Sequence, residues 1–308
     1  MRDSDSASAK ERTVTNMENE RDILKGILDV HIHAGPSVAN RELDAADMLK
    51  EAIVAGYRGF LVKDHYFPTC MGVKMVREHC DAKDVELYSI LVLNNSVGLF
   101  NLVAIDAAVN MGAKIISFPT VSAKNHIDHH KGNFVGAGKM SVPEIPVVFV
   151  DEDGNMDRAA LEALKLIAAR DVALATGHGT AWEIDHLVEK AFELGVKRVL
   201  VNHPHFHIGA SYEQMRKWAA MGAFIEMNVC VFVAGSSLGD CDDQMIADIL
   251  KAVPLDRLIL DSDMGQKGNG SPVDGMFRFV RLLMNKFGLT ESDIDQIAKK
   301  NPAILLGI

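Results

Sequence analysis

What this chain lacks narrows it first. It has no excess of positive charge: 32 Lys and Arg stand against 42 Asp and Glu, a formal net charge of −10. It therefore carries no basic field to neutralise phosphates, and nucleic acid is not an expected partner. No apolar run approaches the roughly 18 residues of a membrane span, so no membrane partner is expected either. Cysteine is scarce and scattered. Cys70, Cys80, Cys230 and Cys241 form no CxxC pair, which removes a zinc ribbon and makes reduced thiols in a cytoplasmic protein the expectation over a disulfide framework. There is no P-loop and no GxGxxG between a strand and a helix, so no nucleotide cofactor is implied. The opening stretch, Met1 to Asn19, is polar and has no apolar segment of the secretory kind. Residues 1–20 are expected to be a disordered tail, and residues 21–308 a single domain.

What is present is an alternation. The 308 residues are 48% hydrophobic and 24% charged, ample for one large core. Largely apolar strand-like segments recur at 26–33, 59–65, 87–93, 114–119, 172–176, 198–203, 223–228 and 258–263. Helix-period segments lie between them, and four of these end at a glycine in the C′ manner: Gly56, Gly112, Gly195 and Gly222. One long stretch, 120–155, breaks the rhythm and reads as an irregular insertion with a small strand or hairpin. Eight apolar strands alternating with helices imply a parallel sheet covered on both faces. At this length the expected fold is α/β, a (β/α)8 TIM barrel with an insertion after strand four. An open doubly wound sheet is the runner-up.

A barrel of this kind carries its site at the C-terminal strand ends. The first strand ends in Asp29-Val30-His31-Ile32-His33, whose polar members are expected to share one face. The later ends supply Lys63 and His65, Asn94 and Asn95, Thr120, His178, His203 and His205, Glu226 and Asn228, and Asp261 and Asp263. Histidines, carboxylates, amides and a lysine converging on one mouth have the composition of a hydrolytic metal site. The strip at His126, His129 and His130 lies in the insertion, where solvated side chains are expected before ligands.

In its order, this set resembles the amidohydrolase superfamily of metal-dependent hydrolases. The resemblance runs from Asp29 to the C-terminus. It rests on His31-Ile32-His33 ending strand one, His178 ending strand five, His203 ending strand six and Asp263 ending strand eight. Within the superfamily the chain looks like a group marked by His33-Ala34-Gly35-Pro36-Ser37 and Asp263-Met264-Gly265-Gln266. The resemblance implies one or two divalent metals, zinc first and manganese or iron as alternatives. His31, His33 and His178 would be ligands, His203 a ligand or electrophilic donor, and Asp263 both ligand and general base. Metal-bound water would be the nucleophile. One departure is visible. Many binuclear members carry a carbamylated lysine at the end of strand four, where this chain has Phe118-Pro119-Thr120. Lys63, on strand two, is the available substitute as a metal-bridging residue.

The resulting expectation is a hydrolase of a C–N or C–O bond in a small polar molecule: an amide, cyclic amide, lactone or ester. His65, Asn94, His205 and Glu226 are expected to contact substrate. The competing readings are a non-hydrolytic member, decarboxylase or hydratase, and a non-catalytic barrel that binds a ligand or metal. A homo-oligomer is left open.

Overall fold

The computed structural model describes residues 21–131, 134, 138, 140–233, 235–236 and 242–308. The expected tail (1–20) and Cys241 lie outside the described residues.

Eight parallel strands follow one another in chain order around one sheet. They are β1 (Leu28–Ile32), β2 (Gly59–Val62), β3 (Glu86–Val92), β4 (Ala113–Ser117), β5 (Ala173–Ala175), β6 (Val199–Val201), β7 (Phe224–Asn228) and β8 (Leu258–Asp261). Just past β8 the chain pairs back onto β1. Ile32 bridges Met264, His33 N–H donates to Met264 O at 2.8 Å, and Asp263 N–H donates to His31 O at 2.8 Å. The sheet closes as a (β/α)8 barrel, and its seam runs through the residues of the HxH stretch and Asp263.

Two apolar layers hold the barrel. Leu28, Val30, Leu61, Ile90, Ile115 and Leu200 meet in its interior, and Leu305 and Leu306 from the C-terminal helix belong to the same apolar cluster. The outer face packs on the helices through residues such as Phe60, Ile116, Leu174 and Leu260. The helices begin and end where the local chemistry predicts. Asp44 caps the helix Ala45–Ala55 by accepting from the N–H groups of Ala46 and Asp47, and Gly56, at φ 70°, ends it. Among the described residues no helix is long and apolar enough to cross a membrane. Cys70, Cys80 and Cys230 are free thiols.

Two departures from the sequence reading concern the mouth. First, β1 is not a clean alternation: its register with β2 shifts between Asp29 and Ile32. The Asp29 carboxylate turns to the backbone, accepting from the N–H groups of His31 and Ser262, both at 3.1 Å. It braces the seam and does not share the histidine face. Second, the insertion contains a helix, Lys124–His130, and isolated bridges Ala123–Val147 and Val150–Met156. Phe149 anchors it: its ring meets Phe118 edge-on at 5.3 Å, and its N–H donates to Glu183 Oε1 at 3.0 Å. Glu183 also belongs to the capping box with Thr180 that starts the next helix.

Candidate metal centre

His31 is the hub. Its Nδ1 stands 2.8 Å from Glu226 Oε1. A carboxylate only accepts, so Nδ1 carries the proton and the Nε2 lone pair points into the mouth. That lone pair lies 3.1 Å from Asp263 Oδ1, and His33 Nε2 lies 3.0 Å from the same oxygen. A lone pair facing a carboxylate is repulsive unless a proton or a cation lies between them. Lys63 shows what the site favours: its buried Nζ is 3.0 Å from His31 Nε2. Two imidazoles and a carboxylate, all buried and within ligand reach of one another, are a donor set suited to a divalent ion such as zinc.

His203 ends β6 with Nδ1 at 2.8 Å from Asn228 Oδ1. The Asn228 amide nitrogen donates to Asp261 Oδ1 at 2.7 Å, which fixes the amide's orientation. So His203 Nδ1 is the donor, and its Nε2 keeps a lone pair. Both His203 and Asp263 have positive φ, 43° and 45°. That is a strained conformation for residues with a Cβ, costing on the order of 1–3 kcal/mol each, and such strain gathers at working sites. His178 is placed by its neighbour. Gly177 has φ +71°, and a Cβ there would lie 2.4 Å from Pro119 O, so only glycine lets β5 end against β4 at this point.

Electrostatics follow from burial. Burial alone would raise the Asp263 carboxyl, yet His31, His203 and His33 around it hold it well below the ordinary carboxylate range. Burial pushes the His33 imidazole down to about 3 and that of His126 to about 2, and lowers those of His178, His203 and His207. Burial thus favours the neutral form of these rings, the form that binds metals, against the pull of the Asp263 carboxylate on His33 and His203. Burial also lowers Lys63, opposed by the carboxylates of Glu226, Asp263 and Asp261. Asp261 is raised well above its usual range by burial and by Glu226 beside it.

Not every expected contact residue faces the mouth. Glu226 lies behind His31 and also accepts from Asn202 Nδ2 and from the His203 N–H, each at 3.0 Å. Asn94 is fully engaged: its amide nitrogen donates to His65 O and Thr120 Oγ1, both at 2.8 Å, and its oxygen accepts from the N–H groups of Thr120 and Ser122. Both position other groups rather than line a pocket. His65 does line the ring of imidazoles, 4.9 Å from His33 between centroids, with Nδ1 on Thr120 Oγ1 at 2.9 Å. His205 turns aside against Phe232 at 5.1 Å.

Sequence reasoning missed three residues. His207 is buried and stacks on His178 at 4.3 Å and 10°. His126, expected to be solvated, is buried with Nδ1 at 2.8 Å from His178 Nδ1; helical spacing from His126 to His130 was the available signal. Arg41 pairs through Nη2 with Asp64 Oδ2 at 3.3 Å, its side chain only 4% exposed. Its Nε and Nη1 have no hydrogen-bond partner among the described residues.

The chain shares its closed barrel with solved structures of low sequence identity. An amidohydrolase from Pseudomonas aeruginosa superposes with a TM-score of 0.63 at 12% identity, over 94% of this chain and 98% of that one. A mutant of an organophosphorus hydrolase from Deinococcus radiodurans does so at 0.55 and 13%, over 93% and 94%. A 2,6-dihydroxybenzoate decarboxylase, in complex with 2,6-dihydroxybenzoate, does so at 0.57 and 12%, over 92% and 100%. No curated protein sequence matches the chain. Residues 26–226 match the model of a family of unknown function, DUF6282, and the chain belongs to that family.

Proposed function

We propose that the chain is a metal-dependent hydrolase of a C–N or C–O bond in a small acidic substrate, such as an amide, cyclic amide, lactone or ester that bears a carboxylate. The observation that carries this reading is the meeting of His31 Nε2 and His33 Nε2 on Asp263 Oδ1, at 3.1 and 3.0 Å. A divalent ion held by His31, His33 and Asp263, with His203 and His178 beside them, would supply an acidified water and a polarised carbonyl.

The chain's own residues supply the rest. Asp263 is held ionised by the imidazoles around it; its Oδ2, which accepts from the Cys230 thiol at 3.1 Å, is the oxygen that would take a proton and return it to the leaving group. Gln266 steadies the other oxygen from 3.2 Å. His203, with its proton on Nδ1, serves as ligand or acceptor rather than as donor. Glu226 orients His31, and Lys63 brings positive charge to the same corner. Arg41 supports the acidic substrate: a buried guanidinium with two nitrogens unpaired among the described residues is suited to a carboxylate. It pairs along the backbone with Gln266, the residue that holds Asp263.

The test is turnover of a panel of carboxylate-bearing lactones, cyclic amides and esters by zinc- or manganese-loaded protein, in water enriched in heavy oxygen. The expected result is one class hydrolysed with solvent oxygen in the product, and none by Asp263→Asn. Carbon dioxide release without solvent oxygen would replace hydrolysis by decarboxylation, a chemistry that the same fold carries in the dihydroxybenzoate enzyme.

A further inference from the structure

We propose that the chain binds a second copy of itself through one apolar face, formed by Val38, Phe67, Met71 and Met75 together with Met140, Val142 and Ile145 of the insertion. Exposed large hydrophobic side chains are unevenly placed on this molecule. Phe67, Met71 and Met75 are 58%, 64% and 56% exposed, and Val142 and Ile145 are 71% and 68% exposed. Between residues 183 and 303, by contrast, no large hydrophobic side chain is exposed among the described residues. Single exposed apolar residues need no explanation, but a contiguous patch on one side marks a contact surface.

Tyr66 ties the parts of this face together. Its carbonyl accepts from Ser96 Oγ at 2.5 Å, and its hydroxyl accepts from the Gly138 N–H at 2.8 Å. Gly138 also lies against Val38, where an added Cβ would stand 2.5 Å from Val38 Cγ2. Asn95, next to Ser96, donates to Glu144 Oε2 at 2.8 Å and to Ile145 O at 2.9 Å. The loop after β2, which carries Phe67, is thereby held beside the insertion. Met71 and Met75 extend the face along the helix Cys70–His79, four residues apart and so on one side of it.

Shape, charge and area select a second copy as the occupant. A cavity of about 520 Å³ opens in the face, with Pro36, Val38, Val62, Phe67, Pro68 and Val73 among its walls. Its polar side chains are already engaged: Asp64 with Arg41 and the N–H groups of Tyr66 and Phe67, Thr69 with Val62 O and the Ile90 N–H, and Ser37 with the Ala39 N–H. An occupant therefore meets carbon. A two-fold contact needs a ridge and a hollow on the same patch, since both copies present that patch. Here the Phe67–Met71 ridge of each copy sets into the hollow of the other. The chain carries a net charge of −10, so copies repel wherever their charges meet. Residues 66–73 carry no charge, and 140–148 carry only Glu144, which is spent on Asn95 and Ser122. Lys74, beside Met75, is paired with Glu78 at 3.9 Å. At their exposures the seven apolar side chains present on the order of 700 Å², close to the ~800 Å² that each partner gives to a standard interface. Aromatic and methionine side chains with few charges are the composition of such a contact's centre.

The experiment is sedimentation velocity on the untagged full chain across a dilution series. The comparison is between wild type, Phe67→Asp with Met71→Asp, and Val54→Asp, each checked for fold by circular dichroism. Val54 is 86% exposed but lines a different hollow, with Arg21 and Ser271. Wild type is expected as a dimer, at twice 33.6 kDa. The Phe67/Met71 variant is expected to self-associate at least ~30-fold more weakly, the usual cost of losing central contact residues, and Val54→Asp to behave as wild type. Should the double variant misfold, Ile145→Asp tests the same face from the insertion, with the same weakening expected. A wild-type chain that stays monomeric at every concentration overturns the proposal and leaves the face to another occupant. A dimer that the Phe67/Met71 and Ile145 variants leave intact overturns it too, since the copies then meet elsewhere, as does equal weakening by Val54→Asp.

Discussion

The two halves of the mouth are built on opposite principles. His31, His33 and Asp263 sit along the β1–β8 seam, where backbone hydrogen bonds of 2.8 Å bind the ligand-bearing residues to each other's strands. Their placement is a by-product of barrel closure. His126 and His207 sit on connecting segments and reach the centre because side chains hold those segments down: Asn125 on carbonyls, Phe149 on Phe118 and Glu183. The lesson is about tolerance. A site on the seam survives most side-chain changes around it, whereas a site on an insertion depends on each clamp.

That contrast can be broken in order of expected effect. Asp263→Asn is expected to cost at least ~10³-fold in kcat with little change in unfolding midpoint, since it removes the proton acceptor but keeps the size of the side chain; near-normal turnover would remove Asp263 as base. Glu226→Gln should leave the barrel folded while weakening metal at His31, His33 and Asp263 by ~10–100-fold, the usual loss when a partner of a ligating histidine is changed. Equilibrium dialysis would show it, and unchanged affinity would mean that the Glu226–His31 contact is incidental. Arg41→Gln is expected to raise KM for acidic substrates ~10-fold or more with a smaller effect on kcat, and to leave neutral analogues untouched. Gly177→Ala should lower stability by about 1–3 kcal/mol through strain at φ +71°, read by denaturant unfolding. An unchanged unfolding free energy would mean that the close approach of Gly177 to Pro119 O is not needed.

The comparison also explains what the sequence could disclose. Strands, their order and the ends that carry His31, His33, His178, His203 and Asp263 follow from periodicity and punctuation, because a barrel turns strand order directly into position. Side-chain roles at those ends do not. Glu226 and Asn94 are strand-end polar groups like the others, and only their partners, the His31 ring and the Thr120 loop, show that they face backwards. His207 was hidden by a turn. Phe206 and Ile208 both donate backbone N–H groups to His203 O, so the alternation His203, His205, His207 stops being a guide to direction. His205 then points at Phe232 while His207 swings onto His178. Asp29 fails as a member of the histidine face for a related reason, the register shift inside β1.

Anomalous scattering at the zinc edge, from crystals of zinc-loaded wild-type protein, tests the central claim most directly. The account predicts a peak bounded by His31, His33 and Asp263, the position on which the proposed hydrolysis depends. Zinc-loaded crystals with no peak there, whatever else they bind, would contradict it.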